Sequence, residues 1–273
     1  MRLSEAAIPK FKQHGTFAPR YGWLRKAHRY SQQNPQVFSA EDAPVQMGVG
    51  KNMVRAIRFW GLASKVVVEQ PDHKNGIVPT CFGEALFGTD GWDPYLEDPA
   101  SLWLTHWAMF SPPCQLPVWW YAFNSFTAAE FSDEDLRVSV RAQLEQIADW
   151  PMPAETSIKS DVAALLLTYA PYNGPKSKGL DDRLECPLRQ LSLIGQSAAT
   201  GNYRFATGVP ASLKSEIATA IVLDYIDRVA SDRNTITFGH LAGEPGAPGR
   251  ALRLTEAELI DLIRPQTALH PDL

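Results

Sequence analysis

The stretch Pro99-Ala100-Ser101-Leu102-Trp103-Leu104-Thr105-His106-Trp107-Ala108-Met109-Phe110 decides most about how this chain can fold. Asp98 ahead of Pro99 reads as an N-cap followed by proline at the first helical position, and Ser111-Pro112-Pro113 closes the segment, so a helix is predicted from Pro99 to Phe110. Its side chains are apolar nearly all round, and such a helix must be buried on every side. Other helices have to surround it, and the neighbouring sequence supplies them. One spans Val118 to Phe126 with Trp119, Trp120, Tyr121 and Phe123; one capped by Ser132 runs through Trp150 with Leu136, Val140, Leu144 and Ile147 at helical spacing; one capped by Ser160 runs through Tyr169. With 273 residues, 45% of them hydrophobic, the chain can build two or three modest domains.

Ahead of this aromatic centre the character changes. Residues 1–75 hold twelve Lys or Arg against five Asp or Glu, a balance of +7 in a chain of net charge −4, which leaves the remainder at −11. That split is the footprint of a module that meets phosphates. Arg20 to Asn34 fits a short helix that stops before Pro35, Glu41 to Met47 a second helical turn, and Gly48 and Gly50 break the chain before a third helix from Lys51 to about Ser64. On that third helix Lys51, Arg55 and Arg58 share one face, and Met53, Val54, Ile57 and Trp60 the other. Val66 to Gln70 and Ile77 to Thr80 then read as strands about a turn at Asn75-Gly76. Three helices with a glycine turn before the last, followed by a hairpin, describe a winged helix-turn-helix.

The expected architecture is therefore mainly α with minor β. It comprises a winged helix-turn-helix over 1–85, a helical aromatic-rich middle over 86–205 and a small α+β domain over 206–273. The last would contain a helix from Ser212 to Val229, a turn-rich stretch Gly243 to Gly249, a short strand Ala251 to Leu254, and a final helix behind the capping box Thr255-Glu256-Ala257-Glu258. Residues 171–186, rich in Pro, Gly and Lys, read as an interior loop.

Several functions are excluded. Cys81, Cys114 and Cys186 are isolated and odd in number, which suits buried thiols better than disulfides or a zinc ribbon. The N-terminus lacks a secretory layout, and no stretch reaches the roughly 18 apolar residues of a membrane span, so a soluble cytoplasmic protein without a membrane partner is expected. Gly48-Val49-Gly50-Lys51-Asn52 is not a phosphate loop, since Val45 and Asn52 stand where glycine and Ser or Thr are required. His106, on an apolar helix, reads as a hydrogen-bonded core residue, and no histidine sits in a metal spacing.

As a DNA-reading helix the same segment fits better. Asn52 can bond adenine, Arg55 and Arg58 can reach guanine or phosphate, and Lys51 near the helix start can meet a phosphate. Arg20, Arg25 and Lys26 extend the positive surface. The densest carboxylate loop is Thr89 to Asp98, where Asp90, Asp93 and Glu97 could serve hydrolysis, with Asp90 and Asp93 as ligands of Mg²⁺. The competing reading is structural, because Asp90-Gly91 and Asp93-Pro94 are turn pairs and Asp98 is an N-cap.

Taken together, Phe11-Lys12-Gln13-His14-Gly15-Thr16-Phe17, Gly22-Trp23-Leu24-Arg25-Lys26, Gly48 to Trp60, Thr80-Cys81-Phe82-Gly83, Asp93 to Asp98, Leu102 to Trp107, Trp120 to Asn124, Glu185 to Leu188 and Glu244 to Arg250 resemble the SspB proteins. That family is tied to bacterial DNA phosphorothioation linked to anti-phage defence, and the resemblance runs from about residue 11 to 264. Gly15 stands where the family pattern usually has an acid. The resemblance implies a Mg²⁺-dependent DNA-nicking endonuclease working beside a cysteine desulfurase, an ATPase and a sulfurtransferase. The alternative from the residues alone is a non-catalytic winged-helix DNA adaptor or transcription regulator. A third reading is a scaffold whose aromatic middle binds a partner protein.

Overall fold

The structure, a computed structural model, describes residues 1–71, 75–171, 186–229 and 235–269. From the N-terminus a short turn of helix α1 (Leu3–Ala6) and an irregular segment lead to α2 (Trp23–Gln33), α3 (Ala43–Met47) and α4 (Lys51–Ala63). Gly48 ends α3 at φ 64°, a left-handed conformation that glycine adopts without strain, and the extended Gly50 starts α4. Strands β1 (Val67–Glu69) and β2 (Ile77–Pro79) pair antiparallel with Val68 opposite Val78, and α2, α3 and β1 all pack on α4. Asn75, at φ 62°, lies at the end of the connection, whose residues 72–74 fall outside the described ones. Thr80 Oγ1 accepts the Gly83 N–H at 2.9 Å and caps α5 (Cys81–Phe87), an element the sequence pattern did not reveal.

Asp98 accepts the Ala100 N–H at 2.8 Å and starts α6 (Pro99–Phe110) where its capping chemistry placed it. This helix is walled in by α10 (Ser215–Val229), α12 (Pro248–Leu252) and the short 3₁₀ turn Pro187–Leu191. A second layer holds α7 (Pro117–Asn124), α8 (Asp133–Leu144) and α9 (Glu155–Tyr169), with Trp103, Trp119, Trp120, Phe123, Phe131 and Tyr169 wholly buried. His106 ties the layers together. Its Nε2 donates to Ala251 O at 2.9 Å, which leaves Nδ1 to accept from the Tyr169 hydroxyl at 2.7 Å. Burial among Trp103, Phe110 and Phe123 pushes the imidazole pKa down to about 4, so the ring is neutral near pH 7.

Four expectations need correction. Cys114 and Cys186 are buried thiols, but Cys81 is exposed, because it opens α5 on the helix's outer side. The helix capped by Ser132 stops at Leu144 rather than Trp150, because Gln146, Ile147 and Trp150 bond to carbonyls three residues back and the chain tightens into turns. Ile147 and Trp150 still pack on the core, Trp150 edge-on to Phe11. Ser160 is not a cap. The helix already starts at Glu155, with Ser157 and Ile158 bonding to Ala154 O, and the Ser160 hydroxyl is buried inside it without a partner. Ala251 to Leu254 is not a strand either, since Pro248 opens α12 and Arg253, at φ 60°, closes it.

Strand structure occurs instead at β3 (Ile194–Gln196) and β4 (Tyr203–Phe205), an antiparallel pair with Gly195 opposite Arg204. The last segment adds α11 (Phe238–Gly243) and α13 (Glu256–Leu269), which pack together. The capping box forms as read: Glu258 Oε2 accepts the Thr255 N–H at 2.8 Å, and the Thr255 hydroxyl accepts the Glu258 N–H at 3.3 Å. The interior loop expected over 171–186 lies almost wholly outside the described residues.

Candidate nucleic-acid interface

The two faces of α4 separate as its spacing requires. Val54, Ile57 and Trp60 are buried, Met53 packs at the edge of the core, and Lys51, Asn52 and Arg55 are exposed. Trp60 does more than fill space, because its Nε1–H donates to Phe17 O at 3.0 Å and draws the segment before α2 across the helix. His14 fixes that segment from below. Its Nδ1 accepts the Thr16 N–H at 3.1 Å, so Nε2 carries the proton and gives it to Asp161 Oδ1 of α9 at 2.6 Å. The same carboxylate oxygen accepts the Lys12 backbone N–H at 2.8 Å. The His14 ring lies against Trp60 and Trp119, and both His14 and Asp161 are buried.

Pinned this way, the segment lays Lys10 and Lys12 beside Asn52, Arg55 and Arg58, and the five line a cleft of about 420 Å³ that contains no carboxylate. Gln13 and Gln115 add amide groups, and Gln115 Oε1 accepts from Lys10 Nζ at 3.5 Å. Arg58 is partly neutralised by Glu69 of β1, 2.8 Å away. Lys10, Lys12 and Arg55 are the uncompensated charges of the cleft, with no carboxylate within ion-pair distance among the described residues.

The other basic residues singled out in the sequence do not line it. Lys51 is exposed at the start of α4. Lys26 Nζ donates to Met47 O at 2.7 Å and so sits on the negative end of α3. Arg25 stacks over the Tyr95 ring at 4.5 Å, and Arg20 lies over Phe17 and Trp23 at 5.6 and 5.5 Å. Trp23 is a core anchor, 4% exposed. Lys10 and Lys12 are the residues that sequence reasoning passed over. They were in the +7 count of the N-terminal segment, but nothing local shows that they meet α4.

The acidic loop behaves differently from a metal site. Asp93 is buried, and its two oxygens accept the backbone N–H groups of Glu97 at 3.0 Å and Asp98 at 2.9 Å, so the carboxylate shapes the turn that leads into α6. Asp98 caps that helix. Asp90 and Glu97 point to solvent, and no group of three His, Cys, Asp or Glu able to hold a metal occurs among the described residues. Asp90, Asp93 and Glu97 are therefore not gathered into such a group. What the loop does present is aromatic: Trp92 and Tyr95 are 68% and 62% exposed.

A family described as a protein of unknown function (DUF4007) matches residues 11–273. Among solved structures the chain is similar to an SspB crystal structure, at 38% identity and a TM-score of 0.90, over 100% of this chain and 82% of that one. It is equally similar to a magnesium ion-bound SspB crystal structure, at 37% identity and a TM-score of 0.90, over 100% of this chain and 81% of the other. No curated protein matches. No helix among the described residues is long and apolar enough to cross a membrane.

Proposed function

The chain belongs to the DUF4007 family, with solved SspB structures among its relatives, and from that premise we propose that it binds DNA in a phosphorothioation system through the cleft between Lys10, Lys12 and α4. One observation carries the reading. Two separate stretches of chain, one fixed by the buried His14 and Asp161, converge on a pocket lined by four cations and no acid. Such a surface follows a phosphodiester backbone, with Asn52 placed to reach a base edge. The order α2, α3, α4 and hairpin β1–β2 supports the reading of residues 1–85 as a winged helix-turn-helix.

The reaction that family membership brings into view is nicking of one DNA strand, so that the backbone opens for sulfur insertion by a cysteine desulfurase, an ATPase and a sulfurtransferase. The magnesium ion in one relative supports a metal-dependent hydrolase. Asp93 spends both carboxylate oxygens on backbone N–H groups, so the hydrolytic reading does not rest on this loop. The second reading is a non-catalytic DNA adaptor that recruits the modifying enzymes, for which binding through the cleft suffices.

Two measurements test the proposal. Fluorescence anisotropy with a labelled duplex should give binding whose affinity falls steeply with salt. Conversion of supercoiled plasmid to open circle with Mg²⁺, and not with EDTA, marks the nicking enzyme; tight binding without conversion marks the adaptor. Absence of binding at low salt removes both.

A further inference from the structure

A second cationic recess lies far along the chain from the first, where the start of α13 meets α12 and the turn after β4. Arg250 and Arg253 line it together with Thr207, Thr255 and Glu258, around a volume of about 220 Å³. That is smaller than the roughly 300–1,000 Å³ of sites for organic ligands and suits a compact group. Gly249 lets α12 pack closely on α11 at the edge of the recess, because a Cβ there would stand 2.5 Å from Ala242 Cα.

Both guanidinium groups are held in place with donors to spare. Arg250 uses Nε to reach Gly243 O at 2.8 Å. Arg253 lies over the Phe205 ring at 4.3 Å and spends one nitrogen, Nη1, on Phe123 O at 3.3 Å. Neither has a carboxylate within ion-pair distance among the described residues, although one carboxylate lines the recess. That group, Glu258, is turned to the start of α13, where Oε2 accepts from both the N–H and the hydroxyl of Thr255. Burial, and then the charge of Arg250, pushes the Arg253 pKa down, so two like charges face one region with their repulsion unrelieved.

We propose that Arg250 and Arg253 form a site for a phosphate group, held by the guanidinium donors left unspent and by the Thr207 hydroxyl at its rim. Planar forks of donors match the oxygens of phosphate, and two of them against one carboxylate leave a positive charge in excess. The phosphate belongs either to a DNA backbone or to a free phosphate or nucleotide.

The test is a thermal-shift titration of the full chain with inorganic phosphate at constant ionic strength, with chloride as the control, on the parent, Arg250→Gln and Arg55→Gln. The parent and Arg55→Gln should be stabilised by phosphate over chloride, and Arg250→Gln should bind phosphate at least about tenfold more weakly, as loss of one charge-assisted contact implies. If Arg250→Gln does not fold, Arg250→Lys takes its place, since lysine keeps the charge and loses the fork, and weaker phosphate binding is again expected. Equal stabilisation of the parent by phosphate and chloride, or an undiminished response in the folded Arg250 variant, overturns the proposal. DNA anisotropy on the same proteins separates the sources: affinity lost in Arg250→Gln identifies a backbone phosphate, and affinity retained identifies a free one. Because Arg55→Gln removes a charge from the first cleft alone, failure of the DNA reading leaves the phosphate result intact.

Discussion

His14 Nε2 stands 2.6 Å from Asp161 Oδ1, both side chains buried, and 147 positions of chain separate them. The contact fixes the backbone from which Lys12 projects, because Asp161 Oδ1 holds the Lys12 N–H as well. A polar pair in the interior thus shapes a surface through a single backbone contact.

Asp161→Ala should strand the buried His14 Nε2–H, release the Lys12 N–H and lower stability by about 1–3 kcal/mol, read from urea unfolding. Asp161→Asn keeps an acceptor and should lose less. DNA affinity should fall in Asp161→Ala even under conditions where the protein is folded, since Lys12 loses its anchor. An unchanged affinity in a folded Asp161→Ala protein would remove the pair from any role in the cleft.

Within the cleft the arginines are unequal. Arg55→Gln should weaken DNA binding across sequences and reduce the slope of log affinity against log salt by about one. Arg58→Gln should do less, because Glu69 already offsets its charge. Glu69→Gln should bind more tightly than the parent, and a salt titration of the three variants orders them.

Asp93 and Asp90 are also unequal. Removing the Asp93 carboxylate leaves the Glu97 and Asp98 N–H groups without acceptors, so Asp93→Ala should cost about 1–3 kcal/mol per group and lower the melting temperature. Asp90→Ala should stay within about 0.5 kcal/mol of the parent, as exposed substitutions do. In the plasmid assay Asp90→Ala should match the parent; loss of Mg²⁺-dependent conversion in that folded variant would return the loop to the chemistry.

His106 sets a pH dependence. The unfolded imidazole binds its proton near pH 6.5 and the buried one only near pH 4, so below pH 6.5 the unfolded state holds more protons. The stability this neutral ring contributes is complete above pH 6.5 and is lost as pH falls toward 4, a change of about 3 kcal/mol. Urea midpoints measured across that window should fall for the parent and fall less steeply for His106→Gln.

Much of the backbone was legible where one local rule acts alone. Asp98-Pro99 placed the start of α6, Gly48 and Gly50 separated α3 from α4, and Thr255 with Glu258 opened α13, because capping and left-handed turns are decided within a few residues. Ser160 misled, since a serine that could cap is outranked by the break at Pro151 and Pro153 and by packing of the whole of α9. Strands β3 and β4 escaped notice because three residues such as Ile194-Gly195-Gln196 are too few to show alternation. The cleft was half legible. The face of α4 follows from helical spacing, whereas Lys10 and Lys12 arrive through contacts with Asp161 and Trp60, which no local pattern encodes.

The hydrogen bond from His106 to Ala251 has a consequence for how the chain is made. Its donor leaves the ribosome 145 residues before its acceptor. Until Ala251 emerges, the central helix of the nascent chain carries an imidazole N–H with no partner in its eventual surroundings, and the wall that α12 supplies is missing. The interior of the first-made half is therefore finished by the last-made part. A message cut short before Ala251 yields a polypeptide with an open aromatic core, which the quality-control proteases of a cell recognise readily.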